Sequence, residues 1–354
     1  MPSPDVLLDD WRGRIAQATP ERPLRLRGSG SKDFYGETLA GEVLELRDFS
    51  GIIDYEPSEL VITARCGTTL AQLEAALGEH GQCLAFEPPA YGADPTLGGM
   101  IAAGLSGPRR PFAGAARDFV LGAHLLTADG QLLRFGGQVM KNVAGFDVSR
   151  LLCGSLGILG ILTQVSLKVL PRARAEATLR LELPAAQAVR AFNRWSGQPL
   201  PLSGAAWHRG CAWVRLAGAP PAVLAACAQI GGEQVNPSAA HVFWNALRHA
   251  RLAPLDEAVL WRVSVPPAAA ALELPGEPLI DWGGALRWYA NVPHDTQVRA
   301  IAQAAGGTAL CWRGPAPGGR FHPLPAALIG LHRALKKRFD PRGIFNPGRL
   351  IAGL

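Results

Sequence analysis

Three glycine-rich clusters hold the residues best able to do chemistry. The first is Arg27-Gly28-Ser29-Gly30-Ser31-Lys32. Successive backbone N–H groups in such a loop can form a nest around a pyrophosphate, and Lys32 can add charge. It is not a GxGxxG fingerprint, because Asp33 stands at the third glycine position. It is not a P-loop either, since Lys32 is followed by Asp33 and not by Ser or Thr. An ordinary surface turn is the competing reading.

The second cluster runs from Asp94 to Asp118, DPTLGGMIAAGLSGPRRPFAGAARD, with Gly98, Gly99, Gly104, Gly107 and Gly114. Residues this small let the backbone approach a flat, bulky ligand. Thr96 is placed to cap a short helix over Leu97–Ala103. A small-residue seam between two helices would use the same composition. The third cluster is GSLGILGI, in which Gly154, Gly157 and Gly160 recur at every third position before Ile161. A helix C-cap explains Gly154 but not the other two. Arg109 and Arg110 follow the second cluster and could hold a carboxylate through bidentate contacts or shield phosphates. A solvated turn would also suit them. Lys141-Asn142 precedes the third cluster.

Other candidates are weaker. His208, His241, His249, His294, His322 and His332 form no HxH pair, and each reads as a solvated or satisfied histidine. The six cysteines include no CxxC, which removes zinc and iron–sulfur spacings. Nine tryptophans, most of them between 195 and 288, suit a core or docking anchors.

The elements that must position these residues follow from periodicity. The chain has 354 residues, 48% of them hydrophobic and 18% charged, so it is globular with at least two domains. A net charge of +6 suits an anionic ligand, and no basic run is dense enough for nucleic acid. The start, MPSPDVLLDDW, lacks the apolar stretch of a signal peptide, so a cytosolic protein is expected. Residues 151–170 are apolar, but Ser155, Thr163, Gln164 and Lys168 interrupt them. Helix, glycine turn and strand is the better reading than a membrane span.

Helices are expected over residues 1–20, Thr68–Gly78 and Asn142–Leu152. Strands are expected at Leu60–Ala64, Gly81–Phe86, Val120–Leu126, Gln131–Phe135 and Ile161–Val169. After Pro171, strand-like pieces TLRLEL, WVRLAG, AVLWRVSV and GALRWYANV alternate with helices. That pattern predicts an antiparallel sheet with helices on one face. Leu324–Phe339 reads as an amphipathic helix with Leu328, Leu331 and Leu335 on one face, ending in DPRGIFNPGR.

The loops RGSGS (27–31), TLGG (96–99) and GSLGILGI (154–161), in this order, resemble flavoproteins of the vanillyl-alcohol oxidase / p-cresol methylhydroxylase (VAO/PCMH) type. The segments YEPSELVITARCGTTLAQLEAAL, GQCLAFEPP, GMIAAGLSGPRRP and RFGGQVMKNVAGFDVSRLLCGSLGILG are similar to one branch, the FAD-binding subunits of bacterial glycolate oxidases. The resemblance is dense over 25–171, thins through 172–320 and recurs at 334–349.

It implies an α+β chain. Residues 1–171 would form a PCMH-type FAD-binding domain of two α/β subdomains. Residues 172–323 would form a smaller α+β domain with an antiparallel sheet, and 324–354 a helix and tail returning to the FAD domain. The cofactor-binding residues implied are Arg27, Gly28, Ser29, Gly30, Ser31, Lys32, Pro88, Thr96, Leu97, Gly98, Gly99, Ala102, Ser106, Gly107, Gly154, Gly157, Gly160 and Ile161. Lys141-Asn142 would face the ribityl chain.

Relatives with covalent FAD place a His or Cys in the first loop. Ser29 and Ser31 stand there instead, so non-covalent FAD is expected and no metal. The implied activity is FAD-dependent oxidation of a CH–OH group, glycolate to glyoxylate. This chain would work beside a sister FAD-linked catalytic subunit and an iron–sulfur subunit. The implied location is the cytoplasm, with a place at the inner membrane face open through those partners. Two rival readings remain: a self-sufficient oxidoreductase of the same fold acting on a hydroxy acid or alcohol, and a structural subunit with a vestigial flavin site.

Overall fold

A computed structural model describes residues 3–137, 147–292 and 295–354. The first half is built on a five-stranded antiparallel sheet. Its order is Ile52–Glu56, Val61–Arg65, Ile161–Lys168, Val120–Leu126, Leu132–Gly136. Ile161–Lys168 lies in the middle; Val165 and Leu167 join the core on one face, while Gln164, Ser166 and Lys168 alternate with them on the other. On one face pack the helices Leu70–Glu79 and Leu97–Ala103, through Leu73, Leu77, Met100 and Ile101. Thr69 caps the first of these helices in a reciprocal box with Gln72. Thr96 caps the second, accepting from Gly99 N at 3.3 Å.

A second core lies beyond the strand ends. Helix Pro4–Gln17 buries Trp11 and Ile15 against Leu24, Leu44, Leu126, Ile344 and Phe345. Strand Leu24–Arg27, which leads into the first glycine loop, pairs in parallel with Glu42–Glu45. The chain's tail lies on its other edge, with Leu24 N donating to Ile344 O at 2.7 Å and Asn346 N to Leu24 O at 3.0 Å.

An eight-stranded antiparallel sheet occupies the second half. It is two four-stranded units side by side, each with the strand order of a split βαβ, although among the described residues the second unit carries an α-helix only before its last strand. The first runs Glu233–Gln234, Ala175–Glu182, Cys211–Gly218, Leu202–His208. The second continues Leu279–Asp281, Leu286–Ala290, Leu260–Ser264, Thr308–Arg313. In chain order each has the 4-1-3-2 arrangement of that motif, the second in mirror sequence across the sheet. The bridge between Trp207 and Ile280 joins them.

Three expectations need correction. The sheet is covered on both faces, not one. Helices Ala185–Ser196, Pro220–Ile230 and Asp295–Ala304 pack on one side. Helix Pro237–Arg248 and loops of the first half cover the other, through Phe243, Trp244, Leu105 and Leu156. Alternation along each strand had already put apolar residues on both faces, as in Ala205, Ala206 and Trp207. Second, Gly81–Phe86 contributes only Gln82–Cys83 as strand, paired with Leu170–Pro171. Third, of the helix expected at Asn142–Leu152 the described part is Val148–Leu151. Residues 142–146 lie outside the described ones. Among the described residues, no helix is long and apolar enough to cross a membrane.

The last helix, Ala326–Phe339, also turns a different face inward from the one its leucines suggest. Leu328 and Leu331 are exposed, while Lys336 is buried. Its ammonium donates to Asp340 Oδ2 at 2.6 Å, Phe345 O at 2.7 Å and Ile158 O at 2.8 Å. Asp340 also accepts from Ile344 N at 3.1 Å and Phe345 N at 2.8 Å. The buried ion pair outranks the apolar stripe because a buried charge left unmet costs several times more than an exposed leucine.

Asp340→Asn removes the countercharge from a buried ammonium and should destabilise the fold by about 3–5 kcal/mol. Equilibrium urea unfolding measures this. A midpoint equal to wild type would show that the pair is not an anchor.

Candidate functional site

The first glycine loop and the capped helix meet because their glycines leave no room for a side chain. A Cβ on Gly28 would stand 2.4 Å from Thr96 Oγ1, and one on Gly98 2.9 Å from Cys66 Cβ. The third cluster closes in the same way. A Cβ on Gly157 would lie 2.7 Å from Asn346 Nδ2, and one on Gly160 2.8 Å from Leu126 O.

Two adjoining cavities, about 90 and 70 Å³, open where these loops converge. Arg27 through Lys32 and Ala103 line the larger, Gly98, Gly157 and Gly160 the smaller, and Gly28, Thr96, Gly99 and Ala102 both. Gly99 differs from its neighbours: a Cβ there would meet only Thr96 Oγ1, at 3.3 Å, within 4 Å.

The larger of the two is built for an anion. Among the described residues, the N–H groups of Ser29, Gly30 and Lys32 have no protein acceptor. The Lys32 ammonium has no ion-pair partner there either, and burial pushes it down to about 8. A bound anion would favour its charged form and raise it again. Arg27 is already engaged, at 3.5 Å from Asp33 and 3.3 Å from Glu45. Asp33, at the place of the missing third glycine, also pairs with Arg25.

Two residues of the tail belong to this cleft and were absent from the sequence expectation. Asn346 accepts from Leu26 N at 2.7 Å and donates to Leu156 O at 2.7 Å, stitching the first loop's strand to the third cluster. Arg349 donates to the carbonyls of Lys32, at 3.1 Å, and Asp33, at 2.9 Å, and to those of Tyr35 and Glu37. It shapes the loop by holding four carbonyls inward. The NPGR turn of the sequence was the available signal.

The remaining expected residues lie elsewhere. Leu97 is buried in the core and Ile161 begins the central strand. Gly154 N donates to Ile101 O at 2.9 Å, a backbone tie between clusters. Pro88 O accepts from Arg248 at 2.8 and 3.0 Å, and Gly107 O from Trp282 Nε1 at 3.0 Å. These two bind the halves of the molecule together. Ser106 lines a separate cavity of about 270 Å³ between the halves, with Tyr35, Arg110, Arg262, Ser264 and Trp282. Lys141 and Asn142 lie outside the described residues, as does His294.

The two arginines after the second cluster diverge. Arg109 turns to the Cys83 thiol, while Arg110 enters the large cavity. There its guanidinium carbon stands 4.4 Å from the centroid of Trp282, and that of Arg262 stands 4.9 Å from it. Two histidines of the second half are structural: His208 Nε2 meets Ala253 O at 2.7 Å, and His249 Nδ1 accepts from Ala90 N at 2.9 Å. Burial pushes His249 down to about 4, as an acceptor role requires. The tryptophans are mostly core: Trp195, Trp207, Trp244, Trp261, Trp282, Trp288 and Trp312 are buried, which removes them as exposed docking anchors.

Residues 14–136 match the family described as FAD binding domain. The glycolate oxidase subunit GlcE of Escherichia coli (strain K12) is 49% identical over 350 residues, covering 99% of this chain and 97% of that protein. The chain belongs to the family of that glycolate oxidase subunit. More distant relatives match over part of their length. The glycolate oxidase subunit GlcD of Bacillus subtilis (strain 168) is 33% identical over 44% of this chain and 34% of its own. A D-lactate dehydrogenase of Archaeoglobus fulgidus is 32% identical over 46% and 36%. The fold is shared with alkyldihydroxyacetonephosphate synthase, at a TM-score of 0.65 and 16% identity, over 92% of this chain and 72% of that one. The chain thus carries an FAD-binding domain in an α+β oxidoreductase fold.

Gly99→Val sends a branched side chain into space that only the cavity provides. Overpacking should cost about 1–3 kcal/mol. Flavin content of the purified protein should collapse while far-UV circular dichroism stays near wild type. Full occupancy would mean that this cavity does not hold the cofactor.

Proposed function

We propose that this chain is the FAD-binding subunit of a complex that oxidises glycolate to glyoxylate. The likeness to a glycolate oxidase subunit along nearly the whole chain carries the reading. The cleft supports it, since N–H groups and a lysine that have no partner among the described residues meet glycines where a diphosphate would fit. In this reading residues 1–171 hold the cofactor, 172–323 form the second domain, and 324–354 return to lock the first.

Ser29, Gly30, Ser31 and Lys32 would hold the pyrophosphate. Thr96, Gly99, Ala102, Gly157 and Gly160 would admit the rest of the cofactor, with Asn346 and Arg349 keeping the loops in place. When bound, FAD supplies a two-electron acceptor. The protein binds, orients and electrically tunes it.

FAD is non-covalent in this reading, because the first loop offers hydroxyls and no His or Cys. Acid precipitation should therefore leave the yellow colour in the supernatant. Colour that stays with the pellet would overturn the point.

The chain is a non-autonomous subunit in the same reading. Taking hydride from an alcohol carbon requires a group that accepts the hydroxyl proton. Among the described residues lining the 270 Å³ cavity, none is a carboxylate or an imidazole. The base would come from a sister FAD-linked subunit, and the electron outlet from an iron–sulfur subunit. The complex would work in the cytoplasm or at the inner face of the membrane. Mixed with glycolate without oxygen, the FAD-loaded chain should keep its absorption near 450 nm (about where oxidised flavins absorb), and lose it once both partner subunits are added. Fast bleaching of the lone chain would favour the self-sufficient alternative.

A further inference from the structure

The last helix, Ala326–Phe339, leaves most of its surface uncovered. Its C-terminal end is fixed to the body by the buried Lys336 and by Phe339, whose ring centroid lies 6.2 Å from that of Phe135. Toward the N-terminus its outer side is bare. Leu331 is 60% exposed and Leu328 42%, with Ala326, Ala327, Gly330 and Ala334 exposed beside them. A Cβ on Gly330 would meet nothing within 4 Å. The solvent side of a surface helix is normally polar, so an apolar strip there calls for a cover.

Residues four apart form rows along a helix, because a turn takes about 3.6 residues. Ala326, Gly330 and Ala334 form one shallow row. Beside it on one side run Ala327, Leu331 and Leu335, and on the other stand Arg333 and Lys337. The helix therefore presents a groove with one apolar wall and one cationic wall. Among the described residues, Arg333, Lys337 and Arg338 make no ion pair. No acidic residue occurs from Leu324 to Phe339. Lys337 and Arg338 suit the carbonyl end of the helix dipole, but Arg333 lies before the last turn and has no such use.

We propose that this groove docks an amphipathic, acidic helix of a partner subunit. Such a helix uses every part of it. Its ridge enters the row of small residues, its apolar side covers Leu328 and Leu331, and its carboxylates meet Arg333 and Lys337. A second copy of this chain does not fit, because a two-fold contact through this face brings two cationic walls together with no acid from either helix to offset them. A lipid surface fits less well. Two exposed leucines bury little apolar area, and a fluid surface makes no use of a groove. The Lys336 anchor holds the groove in one orientation before the partner arrives, so docking does not have to order the helix. The proposal rests on the reading of this chain as a subunit, which supplies the partner; the charge and shape of the groove supply the partner's chemistry.

Association kinetics of the full chain with the sister FAD-linked subunit and the iron–sulfur subunit, measured on an optical sensor over a range of salt, test the proposal. Leu331→Glu should weaken assembly at least about tenfold, the scale of a residue at the centre of an interface. The double variant Arg333→Glu/Lys337→Glu should slow association and remove most of its salt dependence. Leu224→Glu, at an exposed leucine of the helix Pro220–Ile230, should change neither. All of these positions are exposed, so the variants should keep the wild-type unfolding midpoint and flavin content. The double variant carries the test if Leu331→Glu lowers the midpoint. A complex that forms equally well with wild type, Leu331→Glu and the double variant would overturn the docking site and leave the subunit reading standing. No complex with wild type would overturn both. Two further results would overturn the choice of occupant. One is a wild-type dimer in analytical ultracentrifugation that Leu331→Glu disperses. The other is wild type that sediments alone with phosphatidylglycerol vesicles while Leu331→Glu does not.

Discussion

One buried ammonium decides where the end of the chain goes. Lys336 meets Asp340, Ile158 O and Phe345 O, all within 2.8 Å. Burial lowers its pKa while the charge of Asp340 raises it, so the pair is a contest between desolvation and attraction. Such a pair adds little net stability compared with an apolar replacement, but breaking one half is expensive. Its value lies in register. With Lys336 fixed, the turn after the last helix places Asn346 between Leu26 and Leu156, and Arg349 beneath the loop Lys32–Glu37. The most C-terminal segment thereby sets the geometry of the most N-terminal glycine cluster.

The same arrangement answers whether the glycine clusters are packing seams or ligand loops. Gly28, Gly98 and Gly157 lack a side chain because another part of the protein occupies that space. They are seams. Gly99 has cavity where a side chain would point, and among the described residues the N–H groups of Ser29 and Gly30 meet no acceptor. Those positions are free for a ligand. The two readings are successive layers of one structure: close backbone approach builds the loops, and the built loops leave a lined gap.

Local chemistry was legible in the sequence. Thr96 as a cap, the helix after Thr68, the Val120–Leu126 hairpin and the strand after the third cluster follow from residues within a few positions of each other. What failed depends on contacts between distant residues. Leu328, Leu331 and Leu335 share a helical face, yet the helix turns Lys336 inward because Asp340 and two carbonyls wait there. Arg109 and Arg110 are neighbours with one composition, and only the position of Trp282 separates their fates. Tryptophans that could have been docking anchors are core because both faces of the eight-stranded sheet are covered.

The junction between the halves has a polarity that follows from this packing. Glu87 spans it, accepting from Arg215 at 2.7 Å and from Arg109 N at 2.8 Å. Arg248 reaches back to Glu74 at 2.6 Å and to Pro88 O, and Trp282 Nε1 to Gly107 O. Every one of these ties grips the stretch from Glu74 to Arg109, the segment that flanks the capped helix of the second glycine cluster. Gly107 must be glycine for this grip, since a Cβ would stand 2.5 Å from Glu87 O. A segment held at so many points along its length has little freedom to move relative to the sheet. The position of Arg110 over Trp282 is therefore a consequence of the junction and not of its own turn. Charge on the first half and charge on the second are brought to one ring by ties that neither half could supply alone.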